Sequence, residues 1–322
     1  MNVLFLSSGY RGSYTYIEQS IVRAFQTESI KLIQNQCINE FSFHKLVRLC
    51  QTEKPSIIFT VLGYKLPQAF LAWAKSQQIP VLCWLTEDPY LLDQSLKLAP
   101  NVTALITVEK NAWSYYNDLG YQSLHLPLGA DYSIFKPKHP DPVKRSDLCL
   151  VGYPYEDRVE LITYLANQLP IEITVAGNWY PYSLPKNVSI AALWVTPEEA
   201  VTYYTSSSIV LNSYRKRTQT ENKNELGLEG ISPNNRVFEV AGCKVCLLSE
   251  KREDWSTWFH QEDIPLFQSK QELVETTEAL LNNEKLRNEY SLNSYETALS
   301  SHSYAHRINQ LVKWVKEKNL TN

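Results

Sequence analysis

Two carboxylates stand side by side at Glu87 and Asp88, in WLTEDPY, directly after an apolar run and before Pro89. Acids at a strand end, in a turn fixed by proline, suit general-base work on a hydroxyl. An Asp before proline equally suits the cap of the next helix. A second group falls in SPNNRVFEVAGCKVCLLSE, residues 232–250, where Arg236 and Glu239 lie one helical turn apart near the head of a short helix. Ser232 suits the cap of that helix, Pro233 its first turn and Gly242 its end. A surface ion pair at i,i+3 accounts for Arg236 and Glu239. A ligand clamp accounts for them too, with the cation and helix N-terminus on an anion and the carboxylate on hydroxyls. Between these stretches, LVGYPYEDRVELI sets Gly152 after a strand and Arg158 near the start of a helix. SSGYRGSYT, after the first strand, holds Gly9 and Gly12. That is a tight turn, or a place where backbone amides approach a phosphate or a sugar. It is not G-x-G-x-x-G, and no acid follows the second strand where a nicotinamide ribose needs one, which argues against a dehydrogenase.

The elements that must position these residues alternate between strand and helix. NVLFLSS, SIIFTVLG, PVLCWLTED, ALITVEK and SLHLPLG read as strands. TYIEQSIVRAFQ, FHKLVRLCQTE, LPQAFLAWAKSQQ and NAWSYYNDLG read as the helices among them. Such units make a parallel sheet with helices on both faces. KPKHPDPVKRSD, residues 136–147, has a linker's composition. The alternation then restarts with DLCLVGYP, RVELITYLANQL, EITVAGN, TPEEAVTYYTSS, IVLNSY and KVCLLSE, and the chain closes in helices. The expected architecture is two doubly wound α/β domains, 1–138 and 139–302, with the last helix, within 303–322, packing back on the first. Its apolar face carries Ile308, Leu311 and Trp314. YRKRTQTENKNELGLEG, residues 214–230, is polar and of mixed charge. It reads as a solvated surface loop or as a mobile loop at the ligand edge of a sheet. In open α/β sheets that edge is the carboxyl ends of the strands, where every group above falls.

The 322 residues are 44% hydrophobic and 20% charged with a net charge of −3, the balance of an ordinary globular protein with no bias toward nucleic acid. No apolar stretch approaches a membrane span, and the N-terminus lacks a signal peptide's basic start, so the expected compartment is the cytoplasm. The six cysteines sit mostly in apolar runs and read as reduced, buried thiols. Cys243 and Cys246 form one C-x-x-C with no second pair, which gives no metal site. His302 and His306 read as helix-start and packing residues.

LPLGADYSIFKP, LVGYPYEDRVELI, ITVAGNW, TPEEAVTYYTSSSIVLNSY and RVFEVAGCKVCLLSE resemble, in order and over nearly the whole chain, the successive blocks of GT-B-fold glycosyltransferases. Within that fold, WLTEDPY with SPNNRVFEV and SHSYAHRI resembles the CgeB-like spore-maturation family. The resemblance implies a nucleotide-sugar donor, with UDP placed first, held mainly by the second domain, and an acceptor bound by the first. It implies no cofactor and no metal, since cationic side chains and a helix N-terminus neutralise the leaving diphosphate. Residue by residue, Glu239 matches the acid on the ribose hydroxyls and Arg158 the cation facing the diphosphate. Arg236 adds a second cation, with Asn235, Gly152 and Gly9 completing the donor side. Asp88 and Glu87 are the candidates for contact with the reacting sugar. Many retaining relatives carry a glutamate eight residues before the ribose acid; here that position is Ile231, with Glu229 two residues earlier. The departure leaves the stereochemistry open. It also leaves open a spore-envelope assembly protein that binds nucleotide without turnover.

Overall fold

The computed structural model describes residues 1–26, 30–35 and 42–321, with the side chains of 34 and 35 left aside; Cys37 lies outside the described residues. The chain divides into two compact units, one of Met1–Leu128, Thr220–Ser232 and Tyr304–Asn322, the other of Gly129–Gln219 and Pro233–Ser303. The sequence suggests a junction at 138; in the structure the second unit begins at Gly129.

In the first unit the order is β1 (Asn2–Leu6), α1 (Ser13–Gln26), β2 (Lys31–Asn35), α2 (Phe43–Glu53), β3 (Ile57–Val61), α3 (Gln68–Ser76), β4 (Val81–Leu85), α4 (Leu92–Leu98), β5 (Ala104–Thr107), α5 (Lys110–Asp118) and β6 (Ser123–His125). The second unit runs β7 (Ser146–Val151), α6 (Glu156–Gln168), β8 (Ile173–Ala176), β9 (Val188–Ala192), α7 (Pro197–Ser206), β10 (Ser207–Asn212), α8 (Asn235–Gly242), β11 (Leu247–Glu250), β12 (Leu266–Phe267), α9 (Lys270–Leu281) and α10 (Glu284–Ser301). The chain then returns to the first unit as α11 (Tyr304–Glu317).

Each unit holds one six-stranded sheet, ordered β2-β1-β3-β4-β5-β6 and β12-β11-β10-β7-β8-β9. Every strand pair is parallel. Strands buried on both faces read as continuous apolar runs, and β3, β4 and β5 are buried at every position. The strands that the sequence pattern did not reveal, β2, β9 and β12, are all sheet edges. An edge strand is covered less, so its side chains carry less of the apolar signal; β9 exposes Ser189, Ile190 and Ala191.

One face of the first sheet is covered by α1 and α11, through Ile17, Ile21, Phe25, Ile308, Leu311 and Val315. The other is covered by α2, α3 and α5, through Leu46, Cys50, Phe70, Ala74, Ala112 and Tyr116. In α11 the buried stripe is Tyr304, Ile308, Leu311, Val312 and Val315, while Trp314 is only partly covered. Arg307 is fully buried and donates from Nε to Pro127 O at 2.8 Å. In each order the direction of winding reverses once, between β1 and β3 and between β7 and β10, and ligands of open α/β sheets sit at the carboxyl side of such reversals.

The returning helix is an integral part of the first unit's core. Ile308→Ala should therefore lower the unfolding free energy by about 2–5 kcal/mol, read by urea denaturation, whereas Lys313→Ala on its exposed side should stay within about 0.5 kcal/mol.

Candidate functional site

At the β7/β10 reversal the second unit builds a cationic turn. Gly152 follows β7 with φ +154°, a backbone that side chains rarely adopt. A Cβ there would lie 2.5 Å from Arg236 Nη2 and 3.0 Å from Arg158 Nη1. Both guanidinium groups thus come up against the same glycine, one from α6 and one from α8. Gly177, after β8, packs backbone to backbone against it: a Cβ on Gly177 would stand 2.3 Å from Gly152 O. Trp179 Nε1 donates to that same oxygen at 3.0 Å.

Arg158, 5% exposed, donates from Nη1 to Tyr153 O at 2.6 Å, from Nη2 to Ser213 O at 2.9 Å and from Nε to Ser213 Oγ at 3.1 Å. The first bond reaches the turn after β7 and the last two the end of β10, so Arg158 ties the two together. These three acceptors aim the guanidinium. Its Cζ and that of Arg215 each stand 5.3 Å from the Tyr155 ring centroid. Half-buried Arg236 donates from Nη1 to Asn212 Oδ1 at 3.2 Å. Asn212 is fully buried, donates to Ser249 Oγ at 3.0 Å and also accepts from Asn234 Nδ2 at 3.1 Å.

The head of α8 differs from its sequence expectation. The cap position is Asn234, whose side chain makes no capping bond, and no acid stands in the first turn. Ser232 belongs to the other unit, where a buried carboxylate claims this stretch: Ile231 N and Ser232 N donate to Glu109 Oε1 and Oε2 at 2.9 and 3.1 Å. Glu239 is 6% exposed and accepts from Asn235 Nδ2 at 2.7 Å. An exposed surface ion pair is therefore not its setting. Arg236, Asn235, Glu239, Arg158 and Gly152 all fall in the second unit, around one sheet edge.

Gly9 belongs to the first unit, at the β1/β3 reversal, with φ +75°. Its turn is held from two sides: Ser8 N donates to Glu18 Oε1 at 2.5 Å, and Lys65 Nζ donates to Gly9 O at 2.6 Å. Lys65 also lies 3.8 Å from the Tyr10 ring centroid. Across the reversal Leu62 and Gly63 take φ of +61° and +74°. Left-handed backbone at a leucine is uncommon and marks a constrained strand end.

At the end of β4 the two neighbouring acids part company. Glu87 is half-buried and accepts a hydrogen bond from Tyr14 OH at Oε1; burial, then the Glu87 charge, push the Tyr14 pKa up. Asp88, expected beside it at the reacting sugar, is instead interior at 3% exposure. Its Oδ1 accepts from Ser95 Oγ at 2.7 Å, and its Oδ2 from Thr107 Oγ1 and Tyr116 OH at 2.8 Å each. Both acids lie in the turn that follows β4, and there the tertiary partners, not a strand period, set the two side chains apart. Tyr14, Lys65, Asn212 and Ser213 are site-edge residues that motif reading did not find; a strand-end position was the signal available for the last two.

Residues 220–232 are not a free loop. Lys223 N donates to Tyr90 O at 2.7 Å, Asp93 N to Lys223 O at 2.9 Å and Glu225 N to Asp93 Oδ1 at 3.1 Å. Asn111 Nδ2 donates to Glu229 O at 3.1 Å. Acceptors and donors of the first unit thus take up this polar stretch. Cys243 and Cys246 are free and buried, and burial pushes both thiols up. His302 packs among Phe238, Trp258 and Phe259 and donates from Nε2 to Trp258 O at 2.7 Å. Among the described residues no helix is long and apolar enough to cross a membrane.

The fold is shared with known proteins. A family model described as glycosyl transferase-like matches residues 158–313, the stretch that includes Arg158, Arg236 and Glu239. A sucrose-phosphate synthase from Thermosynechococcus elongatus shares the fold with a TM-score of 0.68 at 12% identity, over 98% of this chain and 99% of that one. Anabaena HepE in complex with UDP-glucose gives 0.66 at 12% identity, over 98% and 100%. The chain has the GT-B fold, and its second half matches the glycosyl transferase-like family model. Spore protein CgeB of Bacillus subtilis (strain 168) is 33% identical over 257 residues, which cover 78% of this chain and 80% of CgeB, and the chain belongs to the CgeB family.

Burial raises the Asp88 carboxyl from an ordinary 3.8 to about 6, with the three hydroxyls opposing and the Glu87 charge adding to the rise. The folded state therefore holds this proton more tightly than the unfolded chain. The resulting stabilisation is complete below pH 3.8 and is lost as pH rises through about 6. Relative to Asp88→Asn, the wild type should lose up to about 3 kcal/mol of unfolding free energy between pH 4 and pH 7, measured by urea denaturation.

Proposed function

We propose that the second unit binds a nucleoside-diphosphate sugar, UDP-sugar first among the candidates, and that the protein passes the sugar to an acceptor taken up by the first unit. The observation that carries this reading is the meeting of Arg158 and Arg236 against Gly152 at the β7/β10 reversal. Two like charges side by side in a half-buried turn suit a ligand with two or more negative charges, and a diphosphate has them. The open head of α8 points the same way. Glu239 takes the ribose hydroxyls, with Asn235 holding its carboxylate in line. Gly152 keeps the approach free of a side chain.

When the glycosidic bond to the diphosphate breaks, negative charge grows on the leaving phosphate oxygen. Arg158 and Arg236, already aimed, stabilise it with little rearrangement and without a metal ion. Glu87 in the first unit accepts the proton of the attacking acceptor hydroxyl, with Tyr14 fixing one of its oxygens. The relationship to a spore protein supports an acceptor in the spore.

UDP at ~100 times its dissociation constant should stabilise the protein by about 2.7 kcal/mol with no divalent metal added. Glu239→Ala should weaken UDP by ~1.5–3 kcal/mol, roughly tenfold to hundredfold, in isothermal titration. Arg236→Ala should weaken UDP far more than uridine, because its partner is phosphate. No thermal shift with any nucleoside diphosphate, with or without magnesium, would remove the donor assignment; equal losses for UDP and uridine would move Arg236 off the phosphate.

A further inference from the structure

We infer that Asp88 is a positioning residue: its buried carboxylate gathers hydroxyls from α4, β5 and α5 and so fixes the turn that presents Glu87. The inference rests on the assignment of Glu87 to the acceptor proton.

Ser95, Thr107 and Tyr116 come from three separate elements, and all three donate to this one side chain. The set extends further. Tyr64, in the connection after β3, hydrogen-bonds Ser95 Oγ at 2.8 Å, and Thr107 Oγ1 accepts from Glu109 N at 3.2 Å. Among the described residues the partners of Asp88 are these hydroxyls, so a buried carboxylate is held by neutral donors. Hydroxyls satisfy its oxygens while leaving its charge in an apolar interior, a costly arrangement that a purely packing role does not require. What the arrangement provides is direction. Glu87 is the preceding residue, and its own carbonyl is tied by Leu91 N at 3.1 Å. With Asp88 clamped from three sides and the Glu87 carbonyl fixed, the backbone at Glu87 is held against rotation, and its side chain meets Tyr14. The same clamp holds β4, β5 and the helices after them in register at the edge where the site is built.

The clamp depends on accepting hydrogen bonds rather than on carrying charge, and this separates it from a carboxylate that acts on substrate. In Asp88→Asn the amide oxygen can take Thr107 and Tyr116, and the amide nitrogen can donate to Ser95, which then donates to Tyr64. Asp88→Ala leaves all three donors without the acceptor they share.

The test uses the full chain and three readouts: UDP release from UDP-glucose, UDP affinity by titration, and amide hydrogen exchange of residues 86–91. Asp88→Ala, and the double variant Thr107→Val with Tyr116→Phe should Asp88→Ala fail to fold, are expected to lose roughly tenfold to hundredfold in turnover. Their UDP affinity should stay unchanged and exchange at 86–91 should rise. Asp88→Asn should recover most of the lost turnover and the protection together. The inference is overturned if Asp88→Asn keeps the turn protected yet is as inactive as Glu87→Gln, since Asp88 would then act on substrate itself. It is equally overturned if Asp88→Ala and the double variant exchange and turn over as the wild type does. If UDP release proves insensitive to Glu87→Gln while exchange at 86–91 follows the expected order, the role given to Glu87 fails and the clamp on the turn stands.

Discussion

Arg158 and Arg236 repel one another, and the fold nevertheless sets both against a glycine that has no side chain to separate them. Holding them there takes an aiming contact for each: Ser213 for one and Asn212 for the other, consecutive residues at the end of β10. The constraint propagates outward. β10 must lie beside β7 so that its last residues reach Arg158, and that pairing is the winding reversal of the second sheet. Gly152 suits glycine because side chains rarely adopt its φ, and a Cβ there would push the two guanidiniums off their aim. Gly177 must remain glycine because its backbone seats directly on Gly152. Much of what is unusual in this unit's backbone follows from keeping two cations at one turn.

The first unit solves a different problem with the same architecture. Its strand ends gather left-handed backbone at Gly9, Leu62 and Gly63, and its fourth strand delivers two acids in succession. One is turned out toward Tyr14 and the other in among hydroxyls. Neighbours in sequence thus come to have unlike surroundings, and burial, with the Glu87 charge adding, raises the Asp88 pKa. The polar stretch 220–232 adds a second kind of support. It is a length of chain that runs along the first unit, held by Glu109, Asp93 and Asn111, before α8 begins in the other.

Much of this was legible from residue order. Buried parallel strands such as VLCWL announce themselves as apolar runs, and glycine after a strand followed by arginine in a helix marked Gly152 and Arg158 correctly as neighbours. The edge strands β2, β9 and β12 were not, because half-covered strands lose the pattern that burial imposes. The helix head was misplaced by two residues. Ser232 and Pro233 have the right chemistry for a helix start, but the Ser232 amide is taken by Glu109, more than a hundred residues away in sequence. Local propensity cannot register such a competitor. The same limit applies to Asp88, whose fate is set by Ser95, Thr107 and Tyr116 rather than by Pro89 beside it. Ile231, standing where many retaining relatives have glutamate, lies in the first unit with its amide on Glu109, a placement the local sequence gave no reason to expect.

The central claim is that a diphosphate is held between two guanidiniums at the Gly152 turn. A crystal structure of the protein with UDP, grown without divalent metal, tests it most directly. The account expects both phosphates at that turn, with nitrogens of Arg158 and Arg236 about 2.7–2.9 Å from phosphate oxygens and the ribose hydroxyls on Glu239. A diphosphate bound away from Gly152, or touching neither arginine, would contradict it.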